Sequence, residues 1–213
     1  LSIPDMKGRY ALFPMLDGWT NVFQVPGKRT TGTGAQTYAI TGPGWKGTLP
    51  AGVKELKSPT SIVWLLGRIY CTGTPEDYAE VHKLQDEFKL VPLSSYGKPY
   101  TPPAGTVDAA LDMKTAVREQ VNRMDAVAYF TLLCKLMKDN PPAAADAPQL
   151  AKFARIGIVP GQDFDPSKLK ADFVKRIPEI SNDRIMLQFK INKDMKDENG
   201  WGFTTKTGIY GTD

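Results

Sequence analysis

Few side chains of this sequence stand in patterns that chemistry uses, and most of those few point away from catalysis. His82 is the sole histidine. It follows Val81 on a segment of helical periodicity, with only Asp86 at i+4. Its neighbours therefore supply neither a histidine-rich metal site nor a nucleophile–histidine pair, and no Gly-x-Ser-x-Gly elbow accompanies it. A surface or boundary histidine is the expected outcome. Thr31-Gly32-Thr33-Gly34 is glycine-rich, yet it lacks the Gly-Lys-Ser/Thr end of a phosphate-binding loop. It leads into a strand pattern rather than a helix, so it reads as a hairpin or bulge. Asp163, Asp165 and Asp172 are too few and wrongly spaced for a calcium loop, and Asp165 before Pro166 reads as a helix cap. Cys71 and Cys134 match no metal or redox spacing. They read as buried free thiols, with one long-range disulfide as the alternative. The sequence implies no metal and no cofactor.

Arg68 lies in the most strand-like run of the chain, Thr60–Cys71. By strand alternation Ile62, Trp64, Leu66, Arg68 and Tyr70 share one face, and Val63, Leu65, Gly67, Ile69 and Cys71 share the other. Both faces are mainly apolar, so both are expected to be covered. A guanidinium in such surroundings needs a carboxylate or a carbonyl. Asp17, in the turn Asp17-Gly18-Trp19-Thr20-Asn21, is the expected partner, flanked by Trp19 and Tyr70. The pair reads first as a structural ion pair and second as an anchor for an anionic ligand. Asp17, Trp19, Asn21, Arg29, Arg68 and Tyr70 form the candidate ligand-binding set.

The elements that would position these groups divide by composition along the chain. The first seventy residues read as short strands punctuated by Gly/Pro turns: Arg9–Met15, Trp19–Val25, Ala35–Thr41 and Thr60–Cys71. In the first of these, Tyr10 and Leu12 share one face, and Ala11, Phe13 and Met15 the other. Trp45–Val53 is broken by Gly47, Pro50 and Gly52 into short turns. Helical signals then take over. Thr74 and Pro75 open a helix with Glu76 and Asp77 in its first turn, and Tyr78, Val81, Leu84 and Phe88 form its apolar stripe. Pro92 closes it, and the proline-rich stretch Val91–Gly105 is a loop. A second helix is expected over about Met124–Lys138, deeply buried through Ala126, Phe130, Leu133 and Met137 with Leu132 and Leu136 beside them. A third is expected over about Asp146–Arg155, ended by Gly157, and a fourth from Asp165-Pro166 to Arg176. Ile180–Met195 fits either period and is assigned as helix over Ile180–Lys193. Asn199-Gly200 is a turn that starts a new strand at Trp201. The fold class expected is α+β: an antiparallel, jelly-roll-like β-sandwich portion, then a helical segment, entering a second β domain.

Composition sets the outer bounds. Of 213 residues, 41% are hydrophobic and 23% charged, which is the balance of a folded globular chain and not of a disordered one. No apolar run approaches the roughly 20 residues of a membrane-spanning helix. Net charge is +4, and the basic residues are scattered rather than gathered in a stripe with interleaved aromatics. No nucleic-acid partner is implied.

A family resemblance rests on named runs. Arg9-Tyr10…Pro14-Met15-Leu16-Asp17-Gly18-Trp19-Thr20-Asn21-Val22-Phe23 resembles the core of domain of unknown function 1254. So do Pro26–Gly32, Gly42-Pro43-Gly44-Trp45, and Leu66-Gly67-Arg68 ahead of the Asp77…Leu84-Gln85 helix. Gly157-Ile158…Pro160-Gly161…Phe164 resembles the helical connector of that family. Gly200-Trp201 and Gly208–Asp213 resemble the opening of its partner, domain of unknown function 1214. The resemblance implies a division into residues 1–110 (β-rich, with one helix), 111–198 (helical connector) and 199–213 (start of the second domain). It implies that the chain is an internal stretch of a bacterial exported protein, periplasmic or secreted, with its signal peptide removed. Its partners would be the N- and C-terminal parts of the same protein and further copies in a homo-oligomer. The function expected is that of an envelope protein that binds a ligand or plays a structural part. The alternative is an enzyme, possibly a hydrolase, with its site between the two β domains.

Overall fold

The computed structural model describes residues 1–190 and 195–205. They fall into two compact units, one of Leu1–Ala104 and one that begins at Gly105.

The first unit is built on an antiparallel ribbon. β1 (Ser2–Ile3) is followed by β2 (Ala11–Leu12), β3 (Met15–Asp17), β4 (Val22–Gln24), β5 (Gln36–Thr41), β6 (Lys54–Lys57), β7 (Val63–Leu65) and β8 (Arg68–Ile69). Ala11 pairs with Ile69 and Leu12 with Arg68, while Met15, Leu16 and Asp17 pair with Leu65, Trp64 and Val63. These pairs share one register. Two bridging hydrogen bonds continue it, Leu66 N–H to the Pro14 carbonyl at 3.0 Å and Tyr70 N–H to the Tyr10 carbonyl at 2.8 Å. The ladder is interrupted only at Phe13-Pro14 and Leu66-Gly67, where proline has no N–H to give. On the far edge of β3 lies β4. The chain beyond β4 keeps pairing, with Phe13 N–H on the Pro26 carbonyl at 2.8 Å and Lys28 N–H on the Ala11 carbonyl at 3.0 Å.

Strand alternation sorts this sheet into two unlike faces. Ala11, Phe13, Met15 and Asp17 are buried, with Val63, Leu65 and Ile69 packed toward the same core. Gly67 lies opposite Phe13, and a Cβ there would stand 3.2 Å from the Phe13 ring. The other face carries Tyr10, Leu16, Trp64, Arg68 and Tyr70, all of them exposed or half-exposed. Covering of both faces was the expectation; among the described residues only one is covered.

A second small sheet, in the order β1-β5-β6, adds Ile3, Tyr38 and Leu56 to the same core. β6 runs parallel to β5. Its sequence, Lys54-Glu55-Leu56-Lys57, buries only Leu56, as suits an edge strand. That charge content is why the segment did not read as a strand. The β-sandwich is not closed, and the class is α+β. Between β4 and β5 the Thr31–Gly34 stretch belongs to a loop in which the Gly27 carbonyl accepts from the N–H groups of Thr30, Thr31 and Gly32. It is therefore neither a hairpin nor a bulge. α1 (Pro75–Glu87) starts as expected, with the Thr74 hydroxyl accepting from Asp77 N–H at 3.3 Å. It buries Val81 and Leu84, and Phe88 meets Phe13 at 5.2 Å between ring centroids. The helix ends before Pro92 because Lys89 leaves it to pair with Ser2.

The second unit holds α2 (Val117–Asn122), α3 (Ala126–Asp139), α4 (Ala147–Ala154) and α5 (Ala171–Lys190). It also holds the hairpin of β9 (Lys196–Glu198) and β10 (Trp201–Phe203), turned by Asn199-Gly200 at positive φ. Asp125 caps α3 through Ala128 N–H at 2.8 Å. The buried stripe of α3 is Ala126, Cys134 and Met137, whereas Leu132 and Leu136 are exposed, so the helix is covered on one side rather than deeply buried. Asp165 caps a single 3-10 turn, Pro166–Lys168, and α5 then runs unbroken through Arg176 and Ile180, where two helices were expected. Residues 191–194 and 206–213 lie outside the described residues, and with them the end of the expected Ile180–Lys193 helix and most of the Gly208–Asp213 motif. No helix among the described residues is long and apolar enough to cross a membrane.

Candidate functional site

The expected Arg68–Asp17 pair does not form. The two residues sit on the same ribbon but on opposite faces, because their positions differ in parity once β2 and β3 are placed in register with β7 and β8. Asp17 faces the core and is 7% exposed. Its Oδ1 accepts from the N–H groups of Trp19 at 2.8 Å and Asn21 at 2.9 Å, and its Oδ2 accepts from Asn21 Nδ2 at 3.3 Å. The carboxylate thus folds its own turn, where Thr20 stands at φ 66° and Gly18 N–H donates to Thr60 Oγ1. Arg68 is solvent-exposed, and the ion pairs formed among the described residues do not include it. Of the six candidates, Asp17, Trp19 and Asn21 gather in this turn. Arg68 and Tyr70 lie on the outer face of the ribbon, together with Tyr10, over whose ring the Arg29 guanidinium stands at 5.9 Å. The set therefore divides into two groups, and the structure leaves no single pocket shared by all six.

The buried-side ion pair of this unit is a different one. Arg9 Nη2 and Asp77 Oδ1 are 2.6 Å apart, with side chains 21% and 15% exposed. Arg9 Nη1 also donates to the Tyr70 carbonyl at 2.9 Å, and Thr72 N–H donates to Asp77 Oδ2 at 2.6 Å. The pair pins the start of α1 to the end of β8 and to the chain entering β2. The Arg9 guanidinium, and after it the Thr72 N–H, holds the Asp77 carboxyl well below the usual carboxylate range. Asp77 in turn raises Arg9. Both residues belong to the family motifs read from the sequence. Asp77 there looked like a helix-dipole complement, and no short-range pattern marks a partner 68 residues away.

This pair lines a groove of about 480 Å³. The turn Lys7-Gly8, at φ 49° and 79°, also lines it. Glu80, Lys83 and Glu87, on the same helix as Asp77, and Tyr70 line it too. Glu80 accepts from Lys83 Nζ at 2.6 Å, and that bond lowers its carboxyl below the ordinary value. His82, on the same helix, is exposed and does not line the groove. Three basic side chains (Lys7, Arg9, Lys83) and three acidic ones (Asp77, Glu80, Glu87) face the same space. Cys71 and Cys134 are free, with Cys134 buried and Cys71 half-exposed. Among the described residues no group of His, Cys, Asp or Glu side chains is arranged to hold a metal.

The groove and the ribbon both lie in the part of the chain that known proteins share. Residues 1–92 match the model of the family described as Protein of unknown function (DUF1254). The DUF1254 match covers the whole of the Arg9–Asp77 constellation and all six candidate residues. The DUF1214 resemblance at the other end is not shown by any comparison. Over 91% of its length the chain is similar to the crystal structure of the VPA0106 protein from Vibrio parahaemolyticus, a structural-genomics target, at 25% identity and a TM-score of 0.62. The chain spans 46% of that protein. No curated protein matches the sequence.

Proposed function

We propose that the DUF1254 region of this chain is a ligand-binding module of an exported bacterial envelope protein, and that it acts by recognition rather than by covalent chemistry. The observation that carries this reading is the state of the charges in the groove. Asp77 and Glu80 are held as anions by cations at hydrogen-bond distance, with their carboxyls lowered rather than raised. A general acid works best with its pKa brought up toward the operating pH. Carboxylates locked low instead offer fixed charge, which serves selection of a ligand. Facing charges of both signs fit a small polar solute that itself carries both. The periplasmic or secreted setting comes from the family resemblance. So do the division at residues 110 and 198, the homo-oligomer, and partnership with the remaining parts of a longer protein.

Lys7 and Glu87 are the groove side chains whose charged ends make no ion pair among the described residues. Calorimetric titration of the chain with a panel of amino acids and other small zwitterions should give a saturable signal for at least one class. Lys7→Ala and Glu87→Gln should weaken it about tenfold or more with unchanged melting. A panel without any binder counts against the reading. Turnover of a bound compound that Asp77→Asn abolishes while binding persists would favour an enzyme working in this groove instead.

A further inference from the structure

An antiparallel sheet with one covered face ordinarily turns polar side chains outward on the other. The outer face of the β2–β3/β7–β8 ribbon does the opposite. In register it presents Tyr10 opposite Tyr70 and Leu16 opposite Trp64, with Arg68 between. Trp64 is 56% exposed, Tyr70 57% and Tyr10 37%. Trp, Tyr and Arg around an aliphatic centre is the composition of protein-interface hot spots, since these residues bury large area with few rotatable bonds. The backbone beneath them is held by the ladder, so little ordering would be lost on docking.

Charge narrows the occupant. Arg68 and Arg29 are the formal charges of this face; neither forms an ion pair among the described residues, and Arg29 rests on the Tyr10 ring. Two copies docked face to face would set guanidinium groups together without a counter-charge, which is unfavourable. We propose that this face docks a different protein surface, apolar at its centre and bearing Asp or Glu side chains placed to meet Arg68 and Arg29. This is independent of the groove and of any ligand bound there.

The test selects a random peptide library displayed on phage against the immobilised full chain, then measures affinities of the enriched peptides. Peptides that combine aromatic or aliphatic residues with Asp or Glu should dominate. Their affinity should fall roughly thirtyfold in Trp64→Ala, the loss typical of a hot spot, and by a similar factor in Arg68→Glu, which should in turn gain affinity for Lys-substituted versions of the same peptides. Both side chains point to solvent, so melting should be unchanged; Tyr10→Ala serves as a third variant if either shifts it. Enriched peptides without acidic residues, binding indifferent to Trp64 and Arg68, or failure to enrich any peptide on this face would overturn the proposal. So would light scattering that shows the chain as a dimer that Trp64→Ala returns to monomer, because the occupant would then be a second copy.

Discussion

Arg68 and Asp17 do not form the pair their sequence suggests, and parity explains why. Alternation in each strand was legible: Tyr10 with Leu12, and Trp64 with Arg68, do share faces. Which face meets the core depends on how the two strands pair, and that is set by contacts between residues as far apart in sequence as Ala11 and Ile69. Asp17 is the structural group. With two backbone N–H groups on one oxygen inside a buried turn, Asp17→Ala leaves donors unsatisfied and should cost about 1–3 kcal/mol. Arg68→Met, on the open face, should stay within about 0.5 kcal/mol of the parent. Urea unfolding of both variants separates them, and equal losses would contradict the geometry. The Arg9–Asp77 pair carries a pH signature. Asp77 has a folded pKa below its unfolded value, near 3.9 for a free aspartate. Its contribution is therefore fully present above that value and is lost as pH falls below it toward the folded pKa. Asp77→Asn should lower the melting temperature at pH 7 and flatten its decline between about pH 4 and pH 2 relative to the parent. A parallel decline in both proteins would mean that the pair does not stabilise the fold.

At the scale of elements, capping and periodicity located what local chemistry determines. Thr74-Pro75 opens α1, the start expected at about Met124 falls beside the Asp125 cap of α3 that the structure shows, and Gly157 follows the end of α4. Among the elements not expected, β6 and α2 went unread, and α5 was divided, because their local signals are weak or contrary. β6 is a charged segment that becomes a strand only because β5 offers an edge. α2 is six residues long and lacks a side-chain cap. α5 was expected as two helices, one ending at Arg176 and one over Ile180–Lys193, yet twenty residues of helix run across Pro178, a residue that disfavours helix interiors. The candidate groove was still less legible, since it depends on a turn, a strand end and a helix drawn together by one ion pair. Gly157 shows where a local signal carried more than it declared. It stands at φ 87°, and a Cβ would lie 2.4 Å from the Asp165 carbonyl oxygen. Gly157→Ala therefore combines a left-handed backbone with a steric clash, and a loss of about 2–4 kcal/mol is expected from strain of that kind. Chemical denaturation measures it. A change under about 0.5 kcal/mol would show that the Gly157 and Asp165 segments separate readily.

At the scale of the molecule, the chain is two compact units joined through a proline-rich segment, and the segment's own hydrogen bonding predicts how it fails. Residues 99–107 form no main-chain hydrogen bond among the described residues, and residues 101–114 are exposed throughout. Proteases need about this much free, extended backbone, and nicking concentrates where burial and hydrogen bonding release it. The other long connection, residues 42–53, is tied back on itself by Trp45 N–H on the Gly42 carbonyl and Val53 N–H on the Pro50 carbonyl. The core of the first unit, from Ile3 to Phe88, lies entirely before the joining segment. A protease of broad specificity at low dose should therefore cut first within residues 101–114. It should leave an N-terminal fragment that resists further digestion, because local opening of a packed core costs far more than opening of a bare loop. Mass spectrometry of the earliest products reads the cleavage site directly. A first cut within residues 42–53, or rapid loss of the N-terminal fragment once the joining segment is severed, would mean that the first unit does not hold its core without the chain that follows it.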